Sequence, residues 1–489
     1  MEASYVRDGG AVFVEKACAA HGCFRALASE DADAFFRWME HDSVNVPPRV
    51  FVTEGACGAF ASGTANTECP WHCGVCNNHL MTACCVLLNV TGRCNQRCPY
   101  CFANAGAGGG ASGGAAGADS AGDPPLQDIE RWLDRLIELG EERKFNIQLN
   151  GGEPTVRDDL PEIVRLCKAK GFEYVQLNTN GRRLAGESRG ELRSPGRSRG
   201  ELRSPASAGL AYAKELKAAG LSTVFLQFDG VSDGVYEALR GEKLFELKRR
   251  AIESCGAAGL PVTLVPTVTK HVNLAEVGQI IGFMLEHVRT VKGVHFQPAS
   301  FFGRQPSEPG VGGDFPERVT MFALMEEIER QTGGRIPARA LAPISTGHPL
   351  CCFCATFLKE PGGGVTPLAK PEGPEGRSCC CGPEDPLEIV RRDRDFVLNK
   401  WDSGGGADGE LPGADGAQGA DISEPMSFDD ALVYIRSNLF TISGMSFMDA
   451  TNLDAERLRR CRVQVFTGDG RLVPFCGYYT LEGSGFPCP

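Results

Sequence analysis

The residues best suited to chemistry in this sequence form one run, Cys94-Asn95-Gln96-Arg97-Cys98-Pro99-Tyr100-Cys101, which spaces three cysteines as C-x3-C-x2-C. Three thiolates so close together favour a soft metal centre. A structural zinc ion wants four ligands. A [4Fe–4S] cube held by three cysteines keeps one iron open to a substrate-like ligand, and this spacing matches that requirement. Taken alone, the run also fits a chance motif or a catalytic zinc site.

Such a loop needs a frame. It follows Val86-Leu87-Leu88-Asn89-Val90-Thr91, part of the first of six β-rich runs at 85–91, 146–150, 174–178, 223–228, 262–269 and 294–298. Helical patterns fall at 126–139, 160–170, 208–219, 243–258 and 274–287, with another at 317–331. The strands read as mostly apolar throughout, as expected of parallel strands covered on both faces. Six units in a row predict a parallel α/β sheet, open or rolled into a partial barrel. The cysteine loop then lies at the C-terminal edge of a strand, where such folds place their chemistry. The other strands end on the same rim in Asn150-Gly151-Gly152-Glu153-Pro154, Asn178-Thr179-Asn180-Gly181, Gln227-Phe228-Asp229-Gly230, Thr267 and Gln297-Pro298. Glycine without a Cβ lets backbone approach a ligand closely. Each polar side chain also fits a hydrogen-bond anchor.

The 489 residues carry a net charge of −12, with 42% apolar and 23% charged residues. That is globular composition, and its acidity argues against a nucleic-acid-binding body. No apolar run approaches the roughly 18 residues of a membrane span, and the N-terminus does not read as a signal peptide, so a cytoplasmic protein is expected. In a reducing compartment the 22 cysteines point to metal or redox chemistry rather than disulfides. They cluster: nine lie between Cys57 and Cys101, and six between Cys351 and Cys381. Upstream, Cys69, Cys73, Cys76 and Cys84 supply four ligands, with His79 a possible substitute, for a further [4Fe–4S] cluster, a rubredoxin-like iron or a zinc ion. Cys85 reads as a strand residue. Downstream, Cys461 and Cys476 flank a hairpin pattern around Gly468-Asp469-Gly470. Together with Cys351 and Cys354 they make a second candidate auxiliary site. Cys352, Cys379, Cys380, Cys381 and Cys488 stay unassigned, and Cys18, Cys23, Cys57, Cys167 and Cys255 read as ordinary thiols.

The Cys94–Cys101 loop resembles the signature of the radical SAM superfamily, and Gly151-Gly152-Glu153-Pro154 resembles that family's GGEP motif. The resemblance implies that Cys94, Cys98 and Cys101 hold a catalytic [4Fe–4S] cluster whose open iron binds S-adenosylmethionine, with Tyr100 as the usual aromatic residue before the last cysteine. It implies reductive cleavage to a 5′-deoxyadenosyl radical that takes a hydrogen atom from substrate. Gly151, Gly152 and Glu153 would position the methionyl group. Asn178, Asn180, Gln227, Asp229, Thr267 and Gln297 would serve the rest of the cofactor or the substrate. The upstream cysteines, Cys101-Phe102-Ala103-Asn104-Ala105-Gly106, and Ile442-Ser443-Gly444-Met445-Ser446-Phe447-Met448-Asp449-Ala450 through Pro474-Phe475-Cys476 resemble the subgroup of tetraether lipid synthase-like and radical SAM (seleno)protein TrsS-type proteins.

The expected architecture is therefore a partial (β/α)6 barrel at 85–335. A cysteine-rich segment at 1–84 precedes it and an auxiliary-cluster region at 336–489 follows, with flexible stretches at 103–125, 186–206, 360–378 and 402–424. SRGELRSP occurs twice, at 188–195 and 198–205, as a local duplication in a loop. The expected function is radical carbon–carbon coupling or methylation at an unactivated C–H bond of a small-molecule, lipid-like or other apolar substrate. An electron donor such as ferredoxin or flavodoxin would serve it. The rivals are a peptide-modifying maturase of the same superfamily and a non-enzymatic iron–sulfur scaffold.

Overall fold

The computed structural model describes residues 3–18, 22–41, 44–48, 78–105, 123–140, 145–187, 204–305, 317–344, 346–368 and 427–482. Cys57, Cys69, Cys73, Cys76, Cys379, Cys380, Cys381 and Cys488 lie outside these, as do most of the stretches read as flexible and nearly all of the SRGELRSP repeat.

At the N-terminus, β1 (Ala3–Asp8), β2 (Ala11–Cys18) and β3 (Gly22–Ser29) form an antiparallel meander, followed by α1 (Ala32–Met39). The large sheet then starts with β4 (Cys85–Thr91), β5 (Asn146–Gly151), β6 (Val175–Thr179), β7 (Thr223–Gln227), β8 (Val262–Val265), β9 (Thr267–Val268) and β10 (Val291–Pro298). It is completed by β11 (Ala342–Pro343), β12 (Cys352–Lys359), β13 (Val365–Pro367), β14 (Leu439–Met445), β15 (Val463–Phe466) and β16 (Leu472–Pro474). Helices α2 (Leu126–Gly140), α3 (Leu160–Ala169), α4 (Pro205–Ala218), α5 (Asp233–Arg240), α6 (Phe245–Ala257), α7 (Val277–Glu286) and α8 (Met321–Gln331) lie between strands in the chain. α2 shows why: Ile129, Leu133, Leu136 and Leu139 recur at three- and four-residue spacing and are all buried.

The parallel strands run in the order β15, β4, β5, β6, β7, β8, β10, β14. The six expected strands are there in sequential order, as an α/β barrel requires. Beyond them, the C-terminal region adds a strand at each end of the row. The hairpin read around Gly468-Asp469-Gly470 exists, and its first arm lies parallel to β4. Aromatic contacts span the two ends of the sheet: Phe447, just after β14, stacks on Phe475 at 4.4 Å between centroids, and Phe302, after β10, meets Phe475 and Tyr479.

One expectation is corrected. The strands are not apolar on both faces. Val86, Leu88, Val90, Ile147, Leu149, Val175, Leu177, Val224, Leu226, Leu264, Val294, Phe296 and Ile442 join one core cluster. The alternate positions, Asn89, Gln148, Asn150, Gln176, Asn178, Phe225, Gln227, Thr263, His295, Gln297, Thr441 and Ser443, belong to the other face and are mostly polar. Curvature encloses that face as a lumen. No helix among the described residues is long and apolar enough to cross a membrane.

Candidate active site

The cysteine loop leaves β4 and is fastened on three sides. Gly152 N–H donates to Thr91 O (2.9 Å) and Glu153 N–H to Arg93 O (2.8 Å). A Cβ on Gly151, at φ +139°, would overlap the Thr91 carbonyl, and one on Gly152 would overlap that of Arg93. The glycines therefore let the β5 rim close on the backbone of the cysteine loop itself. Across the barrel, Cys101 and Arg304 exchange backbone hydrogen bonds of 3.0 and 2.8 Å. The Arg304 side chain donates to Cys98 O (2.8 Å) and Ala105 O (2.9 Å). Arg240 donates to Tyr100 O at 3.0 Å.

Glu153 is 1% exposed. Its Oε1 accepts from Thr155 N–H (3.1 Å), Thr155 Oγ1 (2.7 Å) and Thr179 Oγ1 (2.6 Å), and its Oε2 from Asn180 N–H (2.6 Å). This carboxylate brackets the ends of β5 and β6. Asn180 Nδ2 in turn reaches Asn95 Oδ1 in the cysteine loop at 2.7 Å.

Asp229 is also buried and takes a bidentate pair from Arg240, Nε at 2.7 Å and Nη2 at 2.8 Å, with Thr267 N–H at 3.0 Å and Gln227 Nε2. Arg240 Nη2 also donates to Thr267 Oγ1 at 2.9 Å. Two residues expected at the cofactor, Asp229 and Thr267, are thus tied to each other by an arginine that sequence reading overlooked. Gln227 Oε1 (2.7 Å) and Asn180 O (2.6 Å) accept from Lys248 Nζ, which is fully buried and whose ammonium is pushed down to about 7 by burial. Asn178 bonds along the lumen, to Gln176 at 2.7 Å and Gln148 at 3.4 Å. Gln297 pairs with Thr267 through β10 and β9. A signal for Lys248 existed: with Ala251, Ile252 and Cys255 it sits at i, i+3, i+4, i+7 on the buried face of α6. Arg240 ends α5, which sequence periodicity missed, just before Gly241 at φ +79°.

Cys94, Cys98 and Cys101 are all half-buried and within electrostatic reach of one another. Burial, then Glu153, pushes the Cys94 thiol up to about 12. Burial also raises Cys98, opposed by Arg240. Among the described residues, no three His, Cys, Asp or Glu side chains are arranged to chelate a single metal ion. A cube-shaped cluster puts each thiolate on a different iron, so three separated cysteines fit it. The Nε2 of Gln96 inside the loop, buried and without a partner among the described residues, fits it too as a free donor beside an acceptor-rich group.

At the C-terminal group, Cys351, Cys461 and Cys476 converge from three segments. Cys351 and Cys476 both raise the Cys461 thiol after burial, and burial pushes Cys476 up to about 12. Arg457 is hydrogen-bonded to Cys351 and bears on Cys476. Cys476 Sγ accepts from Met448 N–H at 3.2 Å. Tyr5 donates to Asp454 (2.9 Å) and Trp38 to Pro349 O (2.8 Å), so the N-terminal meander and α1 pack beside this group. Cys354 is not drawn in: it lies within β12, opposite Ser443 of β14 and Ala342 of β11. Cys84 is half-buried ahead of β4, its N–H donating to Arg462 O at 2.9 Å, and Cys85 is indeed a strand residue.

An α/β barrel with a three-cysteine loop at its C-terminal rim is the frame of a metallocluster enzyme. The radical SAM superfamily model matches residues 88–284, and the chain belongs to that superfamily. Its cofactors are accordingly a [4Fe–4S] cluster and S-adenosylmethionine. The chain is 31% identical, over 98% of its length and 91% of the relative's, to 7,8-dihydro-6-hydroxymethylpterin dimethyltransferase of Methanocaldococcus jannaschii. It is 28% identical to a probable GTP 3′,8-cyclase of Methanothermobacter thermautotrophicus over 41% of this chain and 53% of that one. The solved structure of Streptococcus suis SuiB bound to precursor peptide SuiA aligns with a TM-score of 0.35 at 14% identity, over 52% of this chain and 46% of that one.

Proposed function

We propose that this enzyme methylates carbon in a small, polar, ring-shaped substrate held in the barrel lumen, beneath a cluster bound by Cys94, Cys98 and Cys101. The observation that carries the reading is the lumen wall. Amides and hydroxyls occupy the inward positions of successive strands, from Asn89 and Gln148 to His295 and Ser443. The Phe225 and His295 rings lie parallel at 6.1 Å between centroids, and His295 Nδ1 pairs with Ser443 Oγ at 2.9 Å. Thr263, paired with Phe225 on one side and with Gly293 on the other, is 3% exposed, and its hydroxyl has no hydrogen-bond partner among the described residues. An alkyl chain would leave the Thr263 hydroxyl unsatisfied, at about 1–3 kcal/mol, and would offer the inward amides nothing to bond. A flat heterocycle with ring nitrogens and a carbonyl would pair with them and lie along the rings. The 31% identity to the pterin dimethyltransferase supports a polar ring over the lipid-like substrate.

When bound, the cluster and one S-adenosylmethionine would supply a 5′-deoxyadenosyl radical able to take a hydrogen atom from an unactivated C–H bond, while a second S-adenosylmethionine would give the methyl group, leaving S-adenosylhomocysteine, with a second electron from the same donor. The protein's part is to aim and enclose. Gly152, Glu153 and Asn180 shape the rim for the methionyl group, with Tyr100, Gly151, Asn178, Gln227, Asp229, Thr267 and Gln297 around it. The Phe102, Phe302, Phe475 and Tyr479 rings pack together beside the cysteine loop, with Phe102 at the exposed edge of the group. Cys351, Cys461 and Cys476 hold an auxiliary centre, and Cys69, Cys73, Cys76 and Cys84 are candidates for another. A ferredoxin- or flavodoxin-type donor supplies electrons.

The test is anaerobic reconstitution with S-adenosylmethionine, dithionite and 7,8-dihydro-6-hydroxymethylpterin, followed by mass analysis. We expect 5′-deoxyadenosine and a methylated pterin. Absence of 5′-deoxyadenosine above a Cys98→Ala control would sink the radical reading. 5′-Deoxyadenosine without methylation of this or any purine or pterin ring would sink the substrate reading alone.

A further inference from the structure

The corners of the cysteine loop sit in unlike fields. Glu153 bears on Cys94, whereas Arg240, opposed in part by its partner Asp229, bears on Cys98. Between these cysteines in the chain, Gln96 is 4% exposed. Its Oε1 accepts from the Cys98 thiol at 3.7 Å. Its Nε2 is buried and has no partner among the described residues. A buried amide placed only to anchor the loop would have both ends bonded, because an unmade hydrogen bond there costs about 1–3 kcal/mol.

The polar neighbour the structure gives this amide is a sulfur. As a free thiol that sulfur donates to Oε1. As an iron-bound thiolate it has no proton and can only accept, so the NH2 end must turn towards it. We propose that Gln96 donates an N–H···S hydrogen bond to the Cys98 corner of the cluster and thereby raises its reduction potential. The inference rests on Cys94, Cys98 and Cys101 being the ligands.

The redox step is a one-electron reduction: one electron passes from a ferredoxin- or flavodoxin-type donor, or dithionite in vitro, to the oxidised cluster, with no bond made or broken. The reduced cluster carries one more negative charge, mostly spread over sulfur. A donor held against that sulfur favours the reduced form, as does the Arg240 cation, which Asp229 opposes in part. Glu153, on the Cys94 side, acts in the opposite sense. Gln96 lies on the side where the added electron is favoured.

The experiment is an EPR-monitored redox titration of the full chain, reconstituted anaerobically, as wild type and as Gln96→Leu, which keeps the side chain's bulk and removes the donor. At a fixed potential, the reduced-to-oxidised ratio in Gln96→Leu should fall about tenfold, a downward shift of about 59 mV for a one-electron couple. Gln96→Glu should shift it further, by placing a carboxylate against the sulfur. A Gln96→Leu protein with a full iron complement and the wild-type midpoint overturns the proposal. Should the variants lose the cluster, wild-type protein labelled with glutamine carrying side-chain 15N decides by pulsed EPR. A 15N coupling to the reduced cluster supports the hydrogen bond, and its absence overturns it. A wild-type chain with no reduced-cluster signal removes the cofactor assignment and this inference with it, whereas an unmoved midpoint removes this inference alone.

Discussion

The two cysteine groups differ in how the chain builds them. Cys94, Cys98 and Cys101 share one loop, and distant residues come to it: Glu153 from the end of β5, Arg240 from α5, Lys248 from α6 and Arg304 from beyond β10. Cys351, Cys461 and Cys476 arrive from three segments, with Arg457 beside Cys351 and Cys476. The first group has its ligands set by local spacing and its electrostatics by the fold. In the second the fold must do both. Ligand removal should therefore act on chemistry in the first group and on assembly in the second.

The largest contrast follows. Cys98→Ala should bring 5′-deoxyadenosine formation down to the enzyme-free level and lower bound iron by about four per chain. Cys476→Ala should lower iron but keep reductive cleavage of S-adenosylmethionine when methylation is not asked for. Iron and sulfide counts with product analysis check both. Cleavage lost equally in the two would erase the distinction.

The charged supports should separate next. Arg240→Leu strands Asp229, which is 0% exposed and loses a bidentate partner, so unfolding free energy should fall by about 3–5 kcal/mol. Arg240→Met combined with Asp229→Leu should recover most of it. Arg457→Met removes a donor to Ser446 O (2.7 Å) and to Cys351 but strands no carboxylate, so about 1–3 kcal/mol is expected. Denaturant unfolding of the apo chains measures both, and equal losses would mean that the two arginines do the same work.

Lys248 sharpens the electrostatic side. In the unfolded chain a lysine holds its proton to about 10.4, whereas burial brings the folded value down to about 7. Between these values the unfolded state binds more protons, so stability should rise with pH from about 7 towards 10, at no more than about 1.4 kcal/mol per unit. Below 7 the folded chain carries the buried charge and this contribution is absent. Lys292, also pushed down, to about 8, adds a slope of the same sign. The quantity to measure is therefore the difference between wild type and Lys248→Met across pH 6–10, where the variant should be flatter.

How much was readable beforehand follows from the same contrast. Spacing along one strand or loop shows in a sequence, so the cysteine loop, the Gly-Gly-Glu turn and the six central strands were all legible. The polar lumen was legible too, in Asn146-Ile147-Gln148-Leu149-Asn150 and Val175-Gln176-Leu177-Asn178, but expecting strands covered by apolar layers on both faces hid the alternation. Arg240 and Lys248 act across elements, and their pairing with Asp229 and Gln227 depends on how α5 and α6 cross the strand ends. Nothing local announces that β15 joins β4, because a parallel neighbour is chosen by the whole sheet.

The smallest expected effect is at Cys354, which the fold sets apart from Cys351, Cys461 and Cys476. Cys354, three residues after Cys351, is one of the four candidate ligands of that site. That spacing brings side chains together on a helix, but here Cys351 closes a 3-10 turn and Cys354 is already in an extended strand beside Ser443. Cys354→Ala should leave iron, sulfide and 5′-deoxyadenosine unchanged and shift stability by less than about 1 kcal/mol. Cys351→Ala, measured alongside, should lose auxiliary iron. If Cys354→Ala also loses iron, the centre extends from the C-terminal group towards the lumen, and the separation between the two cysteine groups is smaller than the fold implies.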